Sequence, residues 1–139
     1  MKKAIVLAGV SGAGKTWART HDPELKDLPY VDIADIYREF PEFDWFDALH
    51  CLLKRVRVLF RGHDTVVIEG YFLPGTTSSK TLLADLKVAG IRMVMIKDFW
   101  APYQVCAERI VQQCECGETS AAEYRRRLDL LKKCWRPKE

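Results

Sequence analysis

Apolar positions along this chain follow two rhythms. Ala4-Ile5-Val6-Leu7-Ala8 is an unbroken apolar run of strand length, the pattern of a strand covered on both faces. Thr65-Val66-Val67-Ile68-Glu69-Gly70 is a β-branched run ending in an acid and a glycine, and Ile91 to Ile96 is another strand-length run. Pro29-Tyr30-Val31-Asp32 predicts a shorter strand after the first. Helical spacing is clearest from Asp44 to Arg61, where Trp45, Leu49, Leu52, Leu53, Val56, Leu59 and Phe60 recur on one side. Asp47, Lys54, Arg55, Arg57 and Arg61 fall mostly elsewhere, and Gly62 follows where glycine often closes a helix.

Further helices are predicted to start near Gly14-Lys15-Thr16-Trp17 and to run from a Ser78 or Ser79 cap through Leu82, Leu83 and Leu86 to Gly90. Another extends from Pro102 to about Cys114, before Gly117. Ser120-Ala121-Ala122-Glu123 has capping-box spacing and opens a last helix with Tyr124, Leu128, Leu131 and Trp135 on one face.

Strands alternating with helical crossovers imply an α/β fold: a small parallel sheet of about four strands flanked by helices. No repeat, low-complexity tract or linker divides the 139 residues, so one domain over 1–139 is expected. Apolar residues at 48% and charged residues at 29% exclude a disordered or collagen-like chain. Met1-Lys2-Lys3 starts as a signal peptide would, but the apolar run behind it is too short, and no stretch is long enough to span a membrane. The expected compartment is the cytoplasm, with no membrane partner. Five cysteines, an odd and irregular set, fit reduced thiols better than a disulfide framework.

The sharpest chemical signal lies between the first strand and the first helix. Gly9-Val10-Ser11-Gly12-Ala13-Gly14-Lys15-Thr16 matches G-x-x-x-x-G-K-[ST] at every specified position. Glycines let backbone N–H groups turn inward around phosphate oxygens, and the helix N-terminus adds favourable dipole charge. Gly9, Ser11, Gly12, Ala13, Gly14, Lys15, Thr16 and Trp17 are therefore the candidate nucleotide-binding residues. Lys15 would reach the β- and γ-phosphates, and the Thr16 hydroxyl would ligate Mg²⁺. The pattern predicts a three-layer P-loop NTPase fold with ATP and Mg²⁺ as cofactors. A net charge of +3 permits a phosphate-bearing acceptor without requiring one.

No Asn-Lys-x-Asp run is present to read guanine as GTPases do, and motor-type ATPases need more chain. A small phosphotransferase remains, with a basic helical lid over about 109–127, broken by Gly117. Asp32, Asp35, Glu69 and Asp98 all follow or end predicted strands, so all four should point to the rim where ligands gather in a parallel sheet.

Met1-Lys2-Lys3 with the strand and loop, then Lys15-Thr16-Trp17-Ala18-Arg19, resembles the opening of the phage polynucleotide 5′-kinase domain. That family reads Lys-Ser-Thr-Trp-Ala-Arg, one residue longer. Asp35-Ile36-Tyr37-Arg38 is similar to its Asp-x-Tyr-Arg element, and Lys97-Asp98-Phe99-Trp100 followed by Glu108-Arg109 is a weaker match. The resemblance implies that Asp35 is the general base on an acceptor hydroxyl, most simply the 5′-hydroxyl of a polynucleotide or nucleotide, and that Arg38 holds an acceptor phosphate. The family places an arginine just before the lid glycine, where this chain has Cys114-Glu115-Cys116. Arg109, or one of Arg125, Arg126 and Arg127, would serve instead, Arg109 being the first choice.

Glu69 resembles the strand-end acid of uridine-kinase-like enzymes: it would hold Mg²⁺ through water or accept from Thr16, a loop-capping role being the alternative. The cysteines lack paired zinc spacing, and core packing is favoured over base stacking for Trp45, Phe46, Tyr71 and Phe72. Lys54, Arg55, Arg57 and Arg61 would track a nucleic-acid strand or form a solvated helix face. Two other functions stay open: a kinase of small molecules, nucleoside monophosphates or modified DNA bases, and a nucleotide-binding regulatory module that hydrolyses ATP slowly.

Overall fold

The computed structural model describes residues 1–117 and 120–138. Four strands, β1 (Lys3–Ala8), β2 (Tyr30–Asp32), β3 (Thr65–Gly70) and β4 (Met93–Asp98), form one sheet in the order β2-β3-β1-β4. Every pairing is parallel, with Lys3 opposite both Thr65 and Met93, and Ala8 opposite both Gly70 and Asp98. The two central strands are buried on both faces, which accounts for their unbroken apolar runs.

Helices α1 (Lys15–His21), α2 (Ile33–Glu39), α3 (Trp45–Phe60), α4 (Thr77–Val88), α5 (Tyr103–Glu115) and α6 (Ala121–Cys134) connect and follow the strands. On one sheet face, Ala4, Val6, Val66 and Ile68 pack with Ile36 of α2, Leu52 and Val56 of α3, and Leu82 and Leu86 of α4. The opposite face, with Ile5, Leu7 and Val67, is covered by Leu25 and Leu28 from the chain after α1 and by Phe99. A third cluster joins Val10 and Ala13 of the glycine-rich loop to Cys106 and Ile110 of α5 and Leu131 of α6. Through it, the loop rests on the two helices predicted to form the lid.

Three boundaries differ from expectation. β4 begins two residues later than Ile91, because its register on β1 starts at Met93 opposite Lys3. Thr76 rather than Ser78 or Ser79 caps α4, its hydroxyl accepting from the Ser79 N–H at 3.3 Å. α2 was not anticipated: seven residues are too few to show a period, yet Asp32 caps it by accepting from the Ala34 N–H at 2.9 Å. The lid joint after Gly117 falls partly on residues 118 and 119, outside the described residues.

Candidate active site

The loop between β1 and α1 owes its shape to three glycines. Gly9, Gly12 and Gly14 have φ of 152°, 80° and 110°, a region L side chains rarely adopt. At Gly12 the reason is also steric, since a Cβ there would lie 2.6 Å from the Cys106 carbonyl oxygen on α5. The loop is therefore both curled and pressed against a helix.

Lys15 opens α1 and is buried, its ammonium donating to the Gly70 carbonyl at 3.2 Å and to the Gly9 carbonyl. It sits 4.7 Å from the centre of the Tyr71 ring. Burial lowers its pKa to about 8, an effect that nearby Glu69 and Asp32 partly offset.

Two buried carboxylates face this lysine. Glu69, at the end of β3, accepts from the Thr16 hydroxyl at 2.5 Å and from Arg19 Nε at 2.8 Å. Asp32, at the end of β2, lies 3.8 Å from the Arg19 guanidinium, which itself stacks 3.6 Å over the Tyr30 ring. Burial and the neighbouring charge of Glu69 raise the Asp32 pKa to about 7.

Lys15, Thr16, Asp32 and Glu69 line a cavity of about 740 Å³ together with Ser11, Trp17, Arg38, Tyr71, Phe99, Arg109, Gln112, Gln113, Cys116 and Arg127. Arg109 donates to the Gly12 carbonyl at 2.7 Å. Arg127 is buried and fixed by two acceptors, Glu123 at 3.0 Å and Gln113 at 2.5 Å. Arg126 pairs with Glu123 and lies 3.3 Å over the Tyr37 ring, tying α6 to α2. The glycine-rich loop, carboxylates and arginines thus share one space.

Asp35 is not among the residues lining that cavity. It is bound to Arg38 at 2.6 Å, with its side chain 39% exposed, and faces an adjoining cleft of about 410 Å³ with Tyr30, Lys54, Arg55 and Val58. The carboxylate that lines the main cavity from this segment is Asp32, three residues earlier; it also borders the second cleft. Sequence reasoning placed Asp32 at the rim but did not single it out. Its strand-end position and its spacing before Ala34, that of a helix cap, were the available signals. Arg127 was one of three candidates, and its i,i+4 spacing from Glu123 marks the one that becomes buried.

Other candidates separate cleanly. Trp45, Tyr71 and Phe72 pack together at 6.1–6.3 Å, whereas Phe46 is exposed. Arg55 pairs with Glu39 and Arg57 with Asp85, so part of the basic helix face is neutralised. Cys106 is buried with its thiol pKa raised by burial, and among the described residues no three His, Cys, Asp or Glu side chains converge as a metal site. Also among these residues, no helix is long and apolar enough to cross a membrane.

The donors at Thr16 fit Mg²⁺: its hydroxyl and the buried Glu69 carboxylate are hard oxygen ligands, close to the loop that would hold the phosphates.

No protein-family model matches the chain, and no curated protein matches it. Solved structures do. A gluconokinase from Sinorhizobium meliloti 1021 is 17% identical, with a TM-score of 0.59 over 97% of this chain and 75% of that one. The Pnkp1/Rnl/Hen1 RNA repair complex contains a chain 20% identical, with a TM-score of 0.59 over 97% of this chain and 46% of that one. Shikimate kinase from Acinetobacter baumannii, in complex with shikimate, is 17% identical with a TM-score of 0.57, over 96% of this chain and 75% of that one. At such identities the likeness establishes the architecture. The chain shares with these structures the P-loop NTPase fold, a parallel sheet flanked by helices.

Proposed function

We propose that this protein is an ATP- and Mg²⁺-dependent phosphotransferase that moves the γ-phosphate to an acceptor hydroxyl. The observation that carries this reading is the shared cavity: Lys15 and the loop on one side, the buried Asp32 and Glu69 opposite, and Arg109 and Arg127 from α5 and α6. In the mechanism, the loop N–H groups and Lys15 hold the triphosphate, and Thr16 and Glu69 would hold Mg²⁺, which would screen the phosphate charge.

Asp32 takes the proton of the acceptor hydroxyl as its oxygen bonds to the γ-phosphorus. The bond to the bridging oxygen breaks, and ADP leaves. A base with a pKa near 7 is well matched to that proton transfer. Arg109 and Arg127 stabilise charge on the transferring group, while Asp35 holds Arg38 at the cavity wall to position the acceptor.

The acceptor we favour is the 5′-hydroxyl of a polynucleotide or nucleotide. Its support is the Asp35-Ile36-Tyr37-Arg38 element, the placement of Arg38 on the cavity wall, and a structural neighbour from an RNA repair complex. A small-molecule acceptor is the second reading, favoured by the gluconokinase and shikimate kinase likenesses. Labelled γ-phosphate ATP offered with 5′-hydroxyl DNA and RNA, nucleotides and small alcohols separates them by which product carries label. Asp32→Asn should reduce transfer at least 100-fold, about the lower bound for a lost general base, while nucleotide still binds. If Asp35→Ala abolishes transfer and Asp32→Asn does not, the base is Asp35.

A further inference from the structure

Trp17 is unlike the other aromatic residues of the cavity. It follows Thr16 in the first turn of α1, lines the cavity, and is 67% exposed. One face of its ring is covered: His21, one turn on, stacks on it with ring centres 4.6 Å apart and planes within 10°. That imidazole is held in place, its Nδ1 lying 2.9 Å from both the Trp17 carbonyl and the Thr20 hydroxyl. Thr20 in turn donates to the Thr16 carbonyl at 2.9 Å. The indole is therefore a flat apolar surface, supported behind and open in front, at the mouth of the phosphate loop.

Such a surface has a natural complement. The loop and Lys15 address the terminal phosphates, so the nucleoside end of a bound nucleotide emerges beside the first turn of α1. We propose that Trp17, backed by His21, is the stacking platform for the nucleobase of the donor nucleotide. This rests on the reading of the loop as a triphosphate site and deepens it. Stacking uses the π-face that every base possesses, so the platform adds affinity for adenine and guanine nucleotides alike without choosing between them.

Calorimetric titration with a non-hydrolysable ATP analogue, its GTP counterpart and inorganic tripolyphosphate, all with Mg²⁺, tests the proposal. Trp17→Ala is expected to weaken both nucleotides by roughly tenfold, the value of one base–aromatic stack, and to leave tripolyphosphate unchanged. Trp17→Phe should restore most of the loss, and His21→Ala should show a smaller loss of the same kind. Equal weakening of tripolyphosphate and nucleotides would overturn the platform while leaving the phosphate site intact. So would unchanged nucleotide affinity in Trp17→Ala. Failure of the unmodified protein to bind either nucleotide or tripolyphosphate would overturn the triphosphate site and the platform with it.

Discussion

Two side chains in the cavity titrate toward one another. Burial holds Asp32 up at about 7 and Lys15 down at about 8, although one ends a strand and the other starts a helix. Below the first value the proposed base carries its proton; above the second the lysine proposed to bind phosphate is neutral. kcat/KM for ATP should therefore be bell-shaped, with limbs near these two values, because it reports the free protein. In kcat the alkaline limb should move up, since a bound triphosphate favours the charged lysine. A flat kcat/KM profile across that interval would contradict the assignment.

The Asp32 shift also has a stability consequence with a definite sign. The unfolded chain releases this proton near 3.8 and the folded one near 7, so stability falls as pH rises between those values. Asp32→Asn keeps a capping side chain but removes the buried charge. It should raise stability at neutral pH by roughly 1–2 kcal/mol, a few degrees in Tm, even as it removes transfer. Thermal melts at pH 5 and pH 8 check this: the gain should be larger at the higher pH. At this scale the curl of the glycine-rich loop was legible, because contiguous backbone and three required glycines set it. That Asp32 rather than Asp35 lines the main cavity was not, because it depends on where α2 starts.

Among the elements, α6 is held at the cavity through one side chain. Glu123 holds both Arg126, which lies on Tyr37 of α2, and the buried Arg127, which reaches Gln113 of α5. One carboxylate thus fastens α6 to the two helices beside the cavity. Glu123→Ala would leave the Arg127 guanidinium buried without its charge partner, and removing one member of a buried pair costs about 3–5 kcal/mol. Urea unfolding should show that loss for Glu123→Ala and a smaller one for Glu123→Gln, which keeps one acceptor. Arg126→Ala should cost only about 1 kcal/mol, the scale of a cation–π contact. Equal losses in Glu123→Ala and Arg126→Ala would mean that the pairing of Glu123 with Arg127 adds nothing beyond the Arg126 contact. The start of α6 could be read from the sequence because Ser120 does accept from the Glu123 N–H, as the capping box requires. Its role at the cavity could not, since the partners Tyr37 and Gln113 lie on other helices.

The whole molecule is asymmetric about its sheet. β3 and β1 are covered on both faces, whereas β4 pairs only with β1 and leaves Met93, Met95 and Ile96 at 50%, 41% and 43% exposure. The strand order could not be deduced from the apolar runs, because Ile91 to Ile96 looks as buried as Ala4 to Ala8 until the register is known. An exposed, apolar edge with a free row of N–H and C=O groups is a template for pairing with another chain. Arg92 and Lys97 bracket the Met93-Val94-Met95-Ile96 run, and charges at such positions oppose this association without preventing it. Met95→Lys adds a charge within the run at a site already partly in water. Folding stability should stay within about 0.5 kcal/mol of the unmodified protein. Light scattering on heating should fall at equal protein concentration, while the loop, Asp32 and the arginines across the cavity remain as they are. Scattering unchanged by Met95→Lys would place the origin of any association elsewhere than this edge.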